Sequence, residues 1–251
     1  MRKIVVIGIG TGNPEHMTME GLTALRSADV LFVPTKGEDK AQLAAVRHAI
    51  VERFAAPGLR VTEFALPVRD AANPSYEAGV ADWHDAIAGQ YRTMIADMDE
   101  SETAALLVWG DPGLYDSTLR ILERVRALGE EFSIRVVPGI TAIAALTAAF
   151  AIPLNSVGNP VIITTGRKLA QGWPEGADSV VVMLDGKQTF ASIDPEGLHI
   201  YWAGYVGMSE QILIEGALSE VSGTIAKTRE AARAEHGWIM DIYLLRRAVG
   251  R

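Results

Sequence analysis

The chain has 251 residues, 49% hydrophobic and 22% charged, with 23 basic and 31 acidic residues, a formal charge of −8 and no cysteine. This is an ordinary globular composition for one large or two modest domains, and it excludes a disordered, collagen-like or coiled-coil chain. The acidic balance disfavours general nucleic-acid binding, and the missing cysteines exclude disulfides, thiolate metal sites and cysteine nucleophiles together. No apolar run approaches the ~18 residues of a membrane span. Met1–Ile9 has a basic then apolar start like a signal peptide, but Gly8-Ile9-Gly10-Thr11-Gly12 follows at once with no small-residue cleavage site. The expectation is a cytoplasmic protein that touches neither membrane nor nucleic acid.

In chain order, short β-branched runs alternate with longer amphipathic stretches. Strands are expected at Lys3–Ile9, Val30–Val33, Val61–Phe64, Ala104–Trp109 and Ile134–Val137. Helices are expected near Met19–Ser27, Gln42–Phe54, Tyr76–Asp97 and Ser117–Leu128. The first strand is apolar throughout, as when helices cover both faces of a parallel sheet, and the alternation predicts βαβ units. An Ala-rich helix, Ile140–Ala151, ends before Pro153, and the polar, turn-forming Asn155–Pro160 reads as a linker. Beyond it, strands are expected at Val161–Thr165, Ser179–Leu184, Leu198–Trp202, Gln211–Ile214 and Trp238–Leu245, with one helix at about Glu220–Ala234. The fold class is therefore α/β in two domains, 1–154 with a mostly parallel sheet and 160–251 with a mixed one.

The loop Gly8-Ile9-Gly10-Thr11-Gly12 joins a strand to a helix. It lacks the third glycine of the dinucleotide fingerprint, since Asn13 stands there, and the second strand ends Val33-Pro34-Thr35-Lys36 without the ribose-binding acid. No Gly-Lys-Ser/Thr follows, so it is not a Walker loop. A tight turn that needs glycines for positive φ accounts for it equally well. In an open parallel sheet, ligands sit beyond the carboxyl ends of the strands, where Gly110-Asp111-Pro112 and Pro138-Gly139-Ile140-Thr141 fall. Asp111 could hold a cation or simply cap a turn, and Thr141 could cap the Ala-rich helix.

Three motifs in order, Val6 to Thr18, Val108-Trp109-Gly110-Asp111-Pro112-Gly113-Leu114-Tyr115 and Val137-Pro138-Gly139-Ile140-Thr141-Ala142, make the chain resemble the tetrapyrrole methylase family. That family methylates corrin and porphyrin precursors with S-adenosylmethionine (SAM). Asp82-Trp83-His84, the run Trp109 to Arg120, Thr164–Arg167, Val182–Gly186 and His236–Asp241 are similar to one branch, which methylates ring carbon 1 of a precorrin and releases an acetyl group as acetate. One departure is Thr11, where many members carry Pro. The resemblance implies two α/β domains with SAM in the cleft between them, and a homodimer. It places SAM contacts at Trp109, Gly110, Asp111, Tyr115, Thr141, Ala142, Met183, Leu184, Gly204 and Tyr205. Met183 and Leu184 read equally as strand core.

A polycarboxylate substrate needs local cations, and Lys36, Arg167 and Lys168 stand just past expected strands, where they could equally be solvated charges; Gly10 and Gly12 complete the substrate-side candidates. The catalytic candidates are Asp111, for the cation-holding role given above, and His84 and His236, either of which could activate the water that acetate release needs, the two histidines also reading as helix-surface or capping residues. The five histidines lack metal-ligand spacing, so no metal is expected.

Overall fold

The computed structural model describes residues 1–35, 41–68 and 76–247. Contacts group the chain into two compact units, Met1–Gly10 with Pro14–Ile140, and Thr11–Asn13 with Thr141–Arg251. This division falls ahead of the Ala-rich helix rather than in the expected linker after residue 154. The reason is that the helix, α5 (Ala142–Ala149), packs on a strand of the second sheet.

The first unit holds β1 (Arg2–Gly8), α1 (Met19–Arg26), β2 (Val30–Thr35), α2 (Ala41–Phe54), β3 (Arg60–Ala65), α3 (Tyr76–Ala96), β4 (Thr103–Val108), α4 (Thr118–Ala127) and β5 (Phe132–Val137). Its sheet has the order β3-β2-β4-β1-β5, and every pairing is parallel. The continuous apolar run of β1 is explained by its two faces. Ile4 and Val6 pack with Ile87 and Ile95 of α3 and Leu122 of α4, while Val5, Ile7 and Ile9 pack with Leu25 of α1 and Ile50 of α2. Covering both faces buries the sheet and leaves its strand-end loops as the exposed working edge.

The second unit continues with β6 (Val161–Thr165), the one-turn α6 (Gly166–Leu169), β7 (Ser179–Met183), β8 (Leu198–Gly204), β9 (Ile212–Ala217), α7 (Leu218–His236) and β10 (Asp241–Arg247). The sheet order is β6-β7-β10-β8-β9; β6 and β7 are parallel and the other pairings antiparallel, so the sheet is mixed as expected. The last strand starts three residues later than expected because Gly237 adopts a left-handed conformation (φ +73°) that closes α7, and Trp238–Met240 then link helix to strand. Among the described residues, no helix is long and apolar enough to cross a membrane.

Within this unit Arg229 of α7 and Asp241 of β10 form a two-pronged ion pair (2.9 and 3.3 Å) with both side chains at most 8% exposed, and Trp202 Nε1 donates to the same carboxylate at 3.0 Å. Removing one member of such a buried pair leaves an uncompensated charge. Asp241→Ala is expected to cost about 3–5 kcal/mol, read as a lowered urea midpoint with an unchanged m-value; a loss under about 1 kcal/mol would mean that the pair is solvated like a surface bridge.

Candidate functional site

At the carboxyl ends of β1, β4 and β5 three stretches of backbone lie closer than side chains would allow. A Cβ on Gly8 would stand 2.5 Å from Gly139 N, and one on Gly139 would stand 2.1 Å from Gly110 O. Gly10 and Gly110 exchange backbone hydrogen bonds, 2.7 Å from Gly110 N and 3.3 Å from Gly10 N, so the glycine loop after β1 is stitched to the loop after β4. Gly10 itself is required locally: its φ is +75° and a Cβ would fall 2.5 Å from that of His16.

Asp111 closes this assembly. Its Oδ1 accepts from Gly113 N at 2.8 Å, and its Oδ2 accepts from Gly139 N at 2.9 Å. The carboxylate thus shapes its own turn and clamps the β4 loop to the β5 loop, which realises the turn-forming role weighed for it above. Gly110 has φ +68°, and a Cβ there would meet nothing within 4 Å, so open space stands over the braced backbone. Half-buried Trp109 lies before it, and Tyr115, 44% exposed, follows in the left-handed region at φ +51°.

The second unit repeats the device. Asp185, buried just after β7, accepts from Thr189 N (2.6 Å), Thr189 Oγ1 (2.9 Å) and Tyr243 Oη (2.6 Å). Burial and this carboxylate push the Tyr243 hydroxyl well above the ordinary phenol range, so it stays a donor. Gly166 sits so close that a Cβ would lie 2.1 Å from Asp185 Oδ1. Beside the brace, Met183 ends β7 half-buried and Leu184 follows at φ +55°, 67% exposed. Gly204 ends β8, and Tyr205 stands at φ +49°. Among the described residues, five non-glycine residues have positive φ, and three of them (Tyr115, Leu184 and Tyr205) are SAM-contact candidates. Such residues concentrate where backbone is shaped for a ligand.

The remaining candidates have separate surroundings. The Tyr205 side chain turns into the core, its hydroxyl donating to Trp238 O and Ala232 O, so only its backbone is left for a ligand. Thr141 caps α5, its Oγ1 accepting from Ala144 N at 3.2 Å, and Ala142 is the first residue of that helix. His236 ends α7 with its ring edge-on to Tyr205 at 5.3 Å. Gly12 has φ +105° and is half-buried. Arg167 and Lys168 are exposed on α6; Lys36 lies outside the described residues. His84 is buried on α3, with Nε2 2.9 Å from Ser117 Oγ. Burial, then Arg124 and Arg120, hold its imidazole below the ordinary histidine range, so it is neutral at pH 7. Ser117 and Asp185 lie inside the motif runs quoted above but were not singled out as site residues; the signal for Asp185 was its place after an apolar strand, directly before Gly186.

These features fit SAM. In the first unit, close backbone without side chains, open space over Gly110 and the exposed ring of Tyr115 suit a ligand with a flat adenine and a charged amino-acid end, and in the second the exposed Leu184 side chain stands beside the Asp185 brace. The sequence profile of Tetrapyrrole (Corrin/Porphyrin) Methylases matches residues 3–222. The chain is 53% identical over 250 residues to the Precorrin-6A synthase [deacetylating] of Sinorhizobium sp, covering 98% of this chain and 96% of that protein. It is 30% identical over 155 residues to the Precorrin-2 C(20)-methyltransferase of Sinorhizobium sp, 61% of this chain and 59% of that protein. Among solved structures it is similar to a putative cobalamin synthesis related protein (CobF) from Corynebacterium diphtheriae, with TM-score 0.86, 37% identity and coverage of 99% and 100% of the two chains. The fold is shared with uroporphyrin-III C-methyl transferase from Thermus thermophilus complexed with S-adenyl homocysteine, at TM-score 0.58 and 16% identity over 97% and 91%.

The brace yields a direct test. In Asp111→Asn one carboxylate oxygen becomes an amide nitrogen, so one of the two backbone N–H groups faces another donor. The expected loss is about 1–3 kcal/mol of stability, seen in denaturant unfolding; wild-type stability would show that the carboxylate does not hold the two loops.

Proposed function

The chain belongs to the tetrapyrrole (corrin/porphyrin) methylase family, and from that membership we propose that it is a SAM-dependent C-methyltransferase of cobalamin biosynthesis. Its reaction is methylation of precorrin-5 at ring carbon 1 with release of the acetyl group as acetate, giving precorrin-6A. The observation that carries this reading is the near full-length likeness to the deacetylating synthase. The residues of the strand-end loops support it, because they combine a braced glycine backbone with exposed apolar faces.

In the first unit Trp109, Gly110 and Tyr115 are the residues that would hold SAM, with Asp111 acting by shaping their loop. In the second, Thr141, Ala142, Met183, Leu184, Gly204 and the backbone of Tyr205 would do so. When bound, SAM supplies a methyl group on a sulfonium that is its own leaving group. For the methyl-transfer step the chain's residues align that methyl with ring carbon 1, which is the kind of acceleration that a rigid loop set provides. The exposed cations Arg167 and Lys168, together with Lys36 and the Gly10–Gly12 loop, are the groups we assign to the carboxylates of the substrate. The reading extends to a cytoplasmic homodimer, on the strength of the family resemblance.

The test is stoichiometric. Given precorrin-5 and methyl-labelled SAM, the product should gain one labelled methyl group for each acetate released, measured by mass spectrometry and an acetate assay. Methyl transfer with the acetyl group retained would reject the assignment in favour of a sibling methylase.

A further inference from the structure

The first unit contains a cavity of about 150 Å³ at the carboxyl end of β4. Its walls mix apolar groups, among them Trp83, Ile87 and Ile121, with the polar residues Arg47, Tyr91, Asp116 and Ser117. Arg47 Nε donates to Leu107 O at 3.1 Å, and the Asp116 carboxylate accepts from Thr118 N at 2.7 Å. Tyr91 is 5% exposed, and its hydroxyl makes no hydrogen bond among the described residues. Burial keeps that phenol protonated well beyond its ordinary range, with Asp116 adding to the effect and Arg47 opposing it, so this cavity-lining residue stays a hydrogen-bond donor.

Ser117 has an unusual assignment. It stands at the N-cap of α4, where a serine hydroxyl ordinarily accepts from the first turn, yet it makes no such bond. Asp116 does the capping instead, Oδ1 accepting from Thr118 N at 2.7 Å. The serine hydroxyl is left to His84 Nε2 at 2.9 Å. Because Nε2 is already engaged, any proton that His84 takes through this nitrogen comes by way of Ser117. A hydroxyl held by a neutral, buried imidazole, beside an unpartnered donor, is the arrangement of an activated nucleophile.

We propose that this cavity receives the acetyl group of the substrate and that Ser117, with His84 as its base, removes it. The proposal rests on the deacetylating reading above and specifies its chemistry. His84 carries its own proton on Nδ1. Ser117 Oγ adds to the acetyl carbonyl carbon while its proton passes to His84 Nε2, and the oxyanion that forms accepts from the Tyr91 hydroxyl. Collapse breaks the bond between the acetyl carbon and ring carbon 1. The electron pair stays on the macrocycle, where it takes the methyl group, and the acetyl group remains as an ester on Ser117. His84 gives its extra proton to solvent. Water then adds to the ester, one of its protons passing through His84 to the departing Ser117 Oγ, and the acetic acid so formed ionises to acetate.

Ser117→Ala should lower acetate release from precorrin-5 by about a hundredfold or more, with SAM affinity by calorimetry unchanged, and Ser117→Thr should recover most of the loss. Tyr91→Phe removes a hydroxyl that holds no part of the fold together, and it should also cost about a hundredfold through the lost oxyanion donor. In the wild type, release should rise with pH through the depressed titration of His84, which faces Arg120 and Arg124 of α4, Asp85 of its own helix and Asp116, and His84→Gln should abolish that limb. Wild-type acetate release by folded Ser117→Ala, or by Tyr91→Phe, overturns the proposal and leaves the deacetylating reading standing. A wild-type protein that methylates precorrin-5 and releases no acetate overturns that reading and this proposal together.

Discussion

The structure depends on one close approach of backbone. Gly8, Gly110 and Gly139 meet at the carboxyl ends of three neighbouring parallel strands with no room for a Cβ on Gly8 or Gly139, and the Asp111 carboxylate ties the loops that carry them. Parallel strands end in register on one edge, so three loops of different sequence separation are delivered to one place. Glycine lets them touch, and the aspartate satisfies the amides that the touching would otherwise leave without an acceptor. The second unit solves the same problem with Asp185 over Gly166, again just past parallel strands. In each unit a carboxylate shapes backbone by accepting from main-chain amides.

Around these braces the chain accepts strain. Tyr115, Leu184 and Tyr205 hold left-handed conformations, each costing about 1–2 kcal/mol relative to the right-handed region. For Tyr205 the cost is offset by a buried ring between His236 and Trp238 and by the hydroxyl's contacts with two carbonyls. Leu184 has no comparable burial, since 67% of it faces solvent. A large apolar side chain kept exposed by an unfavourable backbone is poorly explained by stability and well explained by a ligand that covers it.

Most of the architecture was legible in the sequence because it follows from local rules. The apolar run Ile4-Val5-Val6-Ile7 of β1 and the alternation of short β-branched runs with amphipathic stretches each depend on near neighbours alone. What escaped depends on groups distant in the chain. Asp185 meets Tyr243 across 58 residues, and His84 meets Ser117 across 33, so neither pairing leaves a trace in spacing or periodicity. The four-residue α6 is too short to show a helical period. Tyr205 follows β8 directly, but the direction of its side chain is set by the packing of α7, which no local pattern encodes. The unit boundary was displaced for the same reason: Ala-rich α5 is marked by composition, while its partner β10 lies almost a hundred residues further on.

We propose that SAM is held at the braced strand-end loops. Amide hydrogen exchange of the whole protein, with and without saturating SAM, tests it most directly. Protection should concentrate in residues 109–115, 139–142, 183–185 and 204–205, while the opposite edge of the first sheet, around Lys3, Thr103 and Ser133, exchanges unchanged. Protection at that opposite edge, with the four loops unaffected, would contradict the account.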